Sequence, residues 1–356
     1  MIRECDSSEY DLWREAAGGK KKDRVYKLKP QGLELELEAN IEAKLKADLD
    51  SFPQWMRGRD KTAITLEEGE AAKVFNSSLY VSLDEVTKAN LFYYFVESER
   101  NPREDPLILW LTGGPDCTSV YAMCPIRFKI APYDGILPTL VYNPYTWTNF
   151  QISNIIFLDR PAFSGFSFLR NVEKYNGDDI RSSKEIYNFL RKWFLDHPLF
   201  LSNPFYVGGN SYGGKLVPIA AYSVAEGWIT FLLQDAKGNL AGQRRLMQLR
   251  QTDTYASYLA YHWANHNDTR VALHVKEGTV KEWQICEADF NYEVKLINSS
   301  IPYHHALISR GYRSLVFSGD HDLVVPFSGT MEWIDSFNLL VNEPWPSRPV
   351  AGQVGG

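Results

Sequence analysis

The pattern with the most chemical potential in this sequence is Gly-Asn-Ser-Tyr-Gly at residues 209–213. The spacing G-x-S-x-G is typical of a nucleophile elbow, in which a strand ends in a sharp turn that exposes a serine and a helix follows. The apolar run 205–207 precedes the turn, and apolar residues at helical spacing follow it. Because Gly208 and Gly209 permit a strained turn, Ser211 is predicted to be a nucleophile for acyl transfer.

A serine nucleophile also needs hydrogen-bond donors that stabilise the oxyanion formed during attack on a carbonyl. Thr112-Gly113-Gly114-Pro115 follows directly on the apolar run 107–111. We expect the backbone N–H groups of Gly114 and Tyr212 to converge on one oxygen and to form this oxyanion hole. The alternative interpretation of residues 112–115 is a simple glycine turn.

The carboxylate that would orient a catalytic base is predicted near residue 322. Leu315-Val316-Phe317 is a candidate for a buried strand, and Ser318-Gly319-Asp320-His321-Asp322 follows it. Sheet enzymes place their sites at the carboxyl ends of strands, so Asp322 is predicted to be the orienting acid. Asp320 is assigned to holding the turn, and an ordinary turn aspartate is the alternative for Asp322.

The base itself has no clear candidate. In α/β hydrolases the triad follows the order Ser, Asp, His, yet no histidine follows Asp322. His321 is adjacent to Asp322 and cannot both bind that carboxylate and face Ser211. The sequence contains no cluster of metal ligands that could substitute, and no metal or other cofactor is expected. The remaining histidines are interpreted as ordinary surface or core residues: His197, His262, His266, His274, His304 and His305.

The elements that must position these groups alternate between strands and helices. Residues 79–81 and 91–96 predict an antiparallel pair, whereas 107–111 and 155–158 are continuous apolar runs, typical of strands buried on both faces. Apolar residues at helical spacing predict a helix over 180–197. This alternation indicates an α/β fold with a mostly parallel central sheet.

Residues 1–61 differ from the rest of the chain. They combine the alternating stretch 33–38, which predicts an exposed strand, with an amphipathic helical pattern at Ile41, Leu45 and Leu49. Residues 62–356 have the texture of one globular domain, and the polar stretch 227–252 predicts a loop.

Composition excludes several classes of partner. The 356-residue chain has a net charge of −6 and no broad basic field, so nucleic acid is not expected as a partner. The sequence contains no run of 18 apolar residues, so no membrane span is expected. The first 25 residues are polar and charged, and no signal peptide is recognised among them.

The motifs together resemble the plant serine carboxypeptidase-like family, which includes peptidases and glucose-ester acyltransferases. The matching segments are 91–100, 106–115, 153–159, 165–167, 209–214, 261–265, 318–327 and 352–354. The resemblance implies an α/β-hydrolase fold, a secreted or vacuolar location, and a peptide or an acyl-glucose-type small molecule as substrate. It also implies that Gly113 and Asn210 contact the substrate and that Cys117 and Cys286 form a disulfide, with Cys5 and Cys124 free.

The departures from the family pattern are specific. Asp116 replaces the last glycine of the family's G-G-P-G-C turn, and residues 227–252 stand in place of most of the cap insertion. Asn210 occupies a position that is Glu in peptidases and Asp in acyltransferases; its short side chain, with the string 320–326, favours acyltransferase relatives. The family's catalytic histidine follows the segment 352–354, so the domain is expected to be incomplete, or truncated, at its C-terminus.

Two functions therefore remain open from the sequence. The first is seryl acyl-enzyme chemistry, in which water as acceptor gives a carboxypeptidase and an alcohol gives an acyltransferase. The second is a catalytically silent or truncated relative that acts as a binding protein, which the missing histidine, Asp116 and the shortened insertion favour.

Overall fold

The computed structural model describes most of the chain beyond residue 61. The described residues are 62–65, 71–75, 77–83, 87–98, 100–119, 126–142, 153–175, 177–226, 255–286, 292–294, 296–319, 322, 324–339, 348–350 and 353–355. The sequence predictions for residues 1–61 and 227–252, and those for Cys5, Cys124, Asp320 and His321, lie outside these residues.

The described strands form one central sheet and four small two-stranded sheets. They are β1 (Thr62–Thr65), β2 (Ala71–Phe75), β3 (Ser77–Ser82), β4 (Asn90–Val96), β5 (Leu107–Leu111), β6 (Ile126–Phe128), β7 (Leu140–Tyr142), β8 (Asn154–Leu158), β9 (Gly177–Asp178), β10 (Phe205–Gly209), β11 (Tyr292–Glu293), β12 (Arg348–Val350) and β13 (Gln353–Gly355).

The central sheet has the order β10-β5-β8-β4-β3. Strands β10, β5 and β8 are parallel, with Gly209 opposite Leu111, whereas β4 and β3 continue the sheet antiparallel. The predicted antiparallel pair, the two buried strands and the strand before the serine are thus confirmed. Because parallel strands end at the same edge, the residues after β5, β8 and β10 come together there.

The α-helices among the described residues are α1 (Asp179–Asp196), α2 (Tyr212–Glu226), α3 (Tyr255–Asn265), α4 (Asn267–Ala272), α5 (Ile301–Ser309) and α6 (Phe327–Asp335). Helix α1, the predicted helix at 180–197, begins where the Asp178 side chain accepts a hydrogen bond from the backbone N–H of Arg181 at 2.8 Å, a helix N-cap. No helix in the described part of the chain is long and apolar enough to cross a membrane.

The core lies on both faces of the central sheet. Strand residues alternate between the faces, so Tyr93 and Leu109 pack with helices α1 and α2, whereas Tyr94 and Ile108 pack with helix α3 and Trp283. Burial on both faces explains the continuous apolar runs of β5 and β8. The sheet is therefore a rigid platform for the loops that leave its carboxyl edge.

The prediction of a buried strand at Leu315–Phe317 is wrong. These residues are irregular, and Leu315 and Phe317 are 46% and 38% exposed. Among the described residues no neighbouring strand pairs with them. Apolar β-branched and aromatic residues become a strand only where a partner can complete the hydrogen-bond ladder.

Candidate active site

Ser211 lies at the turn between strand β10, which ends at Gly209, and helix α2, which begins at Tyr212. Its φ of 53° places it in the left-handed region, which is uncommon for a residue other than glycine. The side chain of Ser211 is exposed. A strained, exposed serine between a strand and a helix is the geometry of a nucleophile elbow.

The two glycines of the motif are required by close packing against strand β5. A Cβ added to Gly213 would lie 2.1 Å from the carbonyl oxygen of Leu111, and one added to Gly209 would lie 2.5 Å from the same oxygen. The Leu111 carbonyl also accepts a hydrogen bond from the Asn210 N–H at 3.3 Å. The elbow is therefore seated directly on the end of β5, where only glycine leaves enough room.

Residues 112–115 lie against the serine turn. A Cβ added to Gly113 would lie 2.7 Å from the Cβ of Ser211 and 2.9 Å from the backbone nitrogen of Tyr212. Tyr212 provides the first N–H of helix α2, which has no acceptor inside the helix. The structure thus brings Gly113, Ser211 and Tyr212 together, and the Gly114 amide follows Gly113 directly. Donors at a helix N-terminus favour a developing negative charge.

Buried contacts hold the rest of this loop. The carboxylate of Asp159, at the end of β8, accepts hydrogen bonds from Thr118 Oγ1 and the Ser119 N–H, both at 2.7 Å, and from the Phe166 N–H at 3.1 Å. Cys117 and Cys286 form a disulfide, and the Thr118 N–H donates to the Ile285 carbonyl at 2.8 Å. The glycine turn is therefore fixed from both its neighbouring strand and residues 285–286.

Asp159 is fully buried, and its ionisation is affected accordingly. Burial raises the pKa of Asp159 to about 6, because a carboxylate loses its hydration there. The hydrogen bonds from Thr118, Phe166 and Ser119 favour the charged form and oppose the shift. Asp159 thus changes charge at mildly acidic pH while it holds the loop.

A second buried cluster lies around Arg160 and Asp179, which are 1% and 0% exposed. Arg160 donates hydrogen bonds to the carbonyls of Thr112 and Pro115. Asp179, the first residue of helix α1, accepts hydrogen bonds from Tyr212 Oη at 2.8 Å and Lys215 Nζ at 2.7 Å. No sequence motif pointed to this cluster, although Arg160 follows the buried parallel strand β8 and was predictable as an edge residue on that ground.

Asn210 and Asp322 have different surroundings. The Asn210 Oδ1 atom is buried and has no hydrogen-bond partner within the described residues. Asp322 is exposed, and its Oδ1 atom accepts hydrogen bonds from the Val324 and Val325 N–H groups at 2.8 and 3.0 Å. The described residues 312–319 before Asp322 are irregular, and the two N–H groups that donate to its carboxylate belong to its own turn.

The described histidines have other neighbours than the serine. His197 stacks on Trp193, His262 on Tyr133, and His304 on Trp333. Burial lowers the pKa of His304. Within the described residues, Ser211 has no hydrogen bond to a histidine, and no group of three His, Cys, Asp or Glu side chains could hold a metal ion.

Comparison with known proteins identifies consistent relatives. The family model described as serine carboxypeptidase matches residues 68–262 and 234–356. Serine carboxypeptidase-like 16 of Arabidopsis thaliana is 34% identical in an alignment that covers 78% of this chain and 80% of the relative. Serine carboxypeptidase-like 17 of the same plant is 35% identical, with coverage of 78% and 80%.

A solved structure shares the fold. The prohormone-processing carboxypeptidase Kex1Δp from Saccharomyces cerevisiae superposes with a TM-score of 0.58 at 16% identity, and the match covers 78% of each chain. At this identity the likeness concerns the fold alone. The chain therefore has an α/β-hydrolase fold, with a mixed central sheet and helices on both faces.

Proposed function

The chain belongs to the serine carboxypeptidase family, and on this premise we propose that it carries out acyl transfer through a covalent ester on Ser211. The observation that supports this best is the geometry of the elbow. Ser211 has a left-handed φ of 53°, and the backbone of Gly113 is packed against both its Cβ and the Tyr212 amide. A nucleophile and a pair of oxyanion donors are thus adjacent at the edge of a rigid sheet.

The proposed reaction has two steps. Ser211 Oγ attacks the carbonyl carbon of the substrate and loses its proton to a base, while the Gly114 and Tyr212 N–H groups stabilise the oxyanion. The tetrahedral intermediate collapses, the amine or alcohol leaves with a proton, and an ester remains on Ser211. An acceptor then attacks this ester by the same path and releases the acyl group.

Asp322 is proposed to orient the base. Its carboxylate has a defined direction, because two backbone N–H groups hold one of its oxygens. An oriented carboxylate keeps an imidazole in the correct tautomer and stabilises the imidazolium that forms. The second candidate function, a binding protein without catalysis, is the one favoured by the absence of a histidine hydrogen bond to Ser211 within the described residues.

Two substrate classes follow from the family and from Asn210. Peptides with a free C-terminus, as the name carboxypeptidase implies, would release their last residue when water is the acceptor. Glucose esters would donate their acyl group to an alcohol. The Asn210 side chain has the length of the Asp that acyltransferases carry at this position and is shorter than the Glu of peptidases, and this favours the glucose esters. Gly113 is proposed to contact the substrate together with Asn210.

A secreted or vacuolar location is proposed as well. The disulfide between Cys117 and Cys286 is the supporting observation, because such bonds persist in oxidising compartments and are rare in the cytosol.

The experiment that tests the proposal is labelling of the 356-residue chain with a fluorophosphonate, which reacts only with an activated serine. We expect one adduct, mapped to Ser211 by mass spectrometry, that disappears in Ser211→Ala and persists in Ser202→Ala, an exposed serine elsewhere. Absence of an adduct on the folded wild-type chain would contradict the proposal that the chain is an enzyme and would favour the proposal that it is a binding protein.

A second assay separates the two substrate classes. Fresh, unlabelled enzyme is given N-blocked dipeptides with a free C-terminus or, in parallel, 1-O-acyl glucose with an alcohol acceptor. We expect turnover of the glucose ester and little release of the C-terminal amino acid. The reverse preference would contradict the argument from Asn210 and identify a peptidase.

A further inference from the structure

The buried cluster behind the elbow touches both halves of the proposed oxyanion hole. One half is the loop that carries the Gly114 N–H, and the other is the start of helix α2 with the Tyr212 N–H. Arg160 contacts the first half and Asp179 the second. Both residues are buried, and neither was singled out by the sequence motifs.

Arg160 holds the glycine loop at two points. Its Nη1 atom donates to the Pro115 carbonyl at 3.2 Å, and its Nη2 atom donates to the Thr112 carbonyl. The peptide between Gly113 and Gly114 lies in the sequence between these two carbonyls. Because the guanidinium is planar and its donors keep a fixed spacing, two bonds to one loop restrict its rotation as well as its position.

Asp179 holds the side chain of Tyr212. Its Oδ1 atom accepts hydrogen bonds from Tyr212 Oη at 2.8 Å and Tyr292 Oη at 3.1 Å, and its Oδ2 atom accepts from Lys215 Nζ at 2.7 Å. Lys215 Nζ also donates to the Val294 carbonyl at 2.9 Å. With its side chain fixed at the far end, Tyr212 presents its backbone N–H in a fixed direction.

The charges of the cluster balance. Arg160 and Lys215 supply two cations, and Asp179 and Asp116 supply two carboxylates that are 0% and 4% exposed. Burial lowers the pKa of the Arg160 guanidinium, and electrostatic interactions oppose that shift with contributions from Tyr292, Asp179, Tyr212 and Asp116. Asp116, which departs from the glycine of the family pattern, is 4% exposed and interacts electrostatically with this guanidinium.

We infer that Arg160 and Asp179 are positioning residues that set the direction of the two oxyanion N–H groups, one from each side. This inference rests on the proposed function, because it assigns a purpose to the same site. Neither residue contacts the reacting atoms. A displacement of about 1 Å at a reacting group costs about 100-fold in rate, so the loss of either tie is expected to be visible in chemistry.

The test combines amide exchange with labelling kinetics in Arg160→Gln, with Arg191→Gln as the matched control at an exposed arginine of helix α1. We expect hydrogen–deuterium exchange over residues 113–117 to quicken by about tenfold or more in Arg160→Gln. We expect kinact for fluorophosphonate to fall by about 10- to 100-fold, whereas KI stays within about twofold. The split between kinact and KI matters because general disruption of the site would raise KI as well.

Tyr212→Phe supplies a milder variant should Arg160→Gln not fold. It keeps the backbone N–H and removes only the hydroxyl that bonds to Asp179. We expect a fall of about 3- to 10-fold in kinact with unchanged KI. Unchanged kinact in this folded variant, or unchanged exchange or kinact in Arg160→Gln, would overturn the inference.

The design also separates the inference from the proposed function. If Ser211 of the wild-type chain takes no label, the proposed function fails, and the inference is then decided by hydrogen–deuterium exchange alone. Faster exchange over residues 113–117 in Arg160→Gln then supports the positioning role of Arg160. An exchange rate in Arg160→Gln equal to that of the wild type overturns this role.

Discussion

The two ends of the proposed catalytic machinery are built differently. We define the elbow region as strands β5 and β10, residues 112–119 and the start of helix α2. Its packing on the central sheet is so close that a Cβ added to Gly213 would lie 2.1 Å from the carbonyl oxygen of Leu111. The acid segment, which we define as residues 311–319, 322 and 324–326, is irregular and mostly exposed. Both regions were expected from the sequence to sit at strand ends.

The difference shows what holds a catalytic group in place. In the elbow region, ladder hydrogen bonds, a buried ion cluster and a disulfide over-determine the backbone, so a strained Ser211 is retained. In the acid segment, two N–H groups of its own turn donate hydrogen bonds to the Asp322 carboxylate. A group held by its own turn depends on its local sequence, whereas the elbow depends on the whole sheet.

The largest effect is expected in the acid segment. With Asp322 as the orienting acid, Asp322→Asn should lower the second-order rate of fluorophosphonate labelling by about 10⁴-fold, because an amide holds the wrong tautomer of the base. Asp335→Asn, at an exposed aspartate of helix α6, is the control. A labelling rate in Asp322→Asn equal to that of the wild type would contradict the role of Asp322 as the orienting acid.

Next is a pair of adjacent glycines in the elbow region. Gly213→Ala should lower the free energy of unfolding by about 3 kcal/mol or more and remove labelling, because its Cβ would lie 2.1 Å from the Leu111 carbonyl. Gly214→Ala, where an added Cβ meets nothing within 4 Å, should keep labelling and stabilise helix α2 by up to about 1 kcal/mol. Chemical denaturation measures the unfolding free energy of the two variants, and fluorophosphonate labelling measures their reactivity. Equal effects of Gly213→Ala and Gly214→Ala would refute the close packing of the elbow against strand β5.

A pair of leucines compares the packing of the two regions. Leu111→Ala removes a fully buried side chain of β5 and should cost about 2 to 5 kcal/mol of unfolding free energy. Leu315→Ala, at a side chain that is 46% exposed, should cost less than about 1 kcal/mol. Urea unfolding of both variants provides the measurement. A cost at Leu315 as large as that at Leu111 would show that the acid segment is buried in solution.

The smallest effect is a dependence on pH in the elbow region. Since burial raises the pKa of Asp159 from 3.8 to about 6, the folded chain binds more protons than the unfolded chain between these values. Its contribution to stability is therefore full below pH 3.8 and is lost as the pH rises through 6, by up to about 3 kcal/mol.

Unfolding free energies of the wild type and Asp159→Asn, measured from pH 4 to pH 7, test this dependence. The difference between the two proteins should change over this range in favour of Asp159→Asn as the pH rises. A constant difference would indicate that Asp159 keeps an ordinary pKa in the fold.

Most of the elbow region was predictable from local sequence. The glycine spacing at residues 209–213, the run 107–111 and the helical pattern from residue 180 each correspond to an observed element. Such patterns are reliable because the periods of strand and helix are local properties, and because glycine at close contacts has no substitute. The resemblance to serine carboxypeptidases, which rested on these motifs, is confirmed by the family match.

Long-range pairing decided the rest. Whether Leu315–Phe317 forms a strand depends on a neighbour that no local pattern specifies, and here the described residues provide none. The contacts of the Arg160 and Asp179 cluster are likewise not specified by any local pattern, because Asp179 lies 33 residues before Tyr212 and 113 residues before Tyr292 in the sequence.

The sequence by itself thus determined the identity of the serine, its two glycine neighbours and the strands that carry them. Only the tertiary structure decided that the turn at residues 112–115 lies against Ser211, that Asp116 is buried, and that Asp322 follows an exposed, irregular segment. The physical reason is that local backbone preferences act within a few residues, whereas burial and charge balance depend on which distant segments meet.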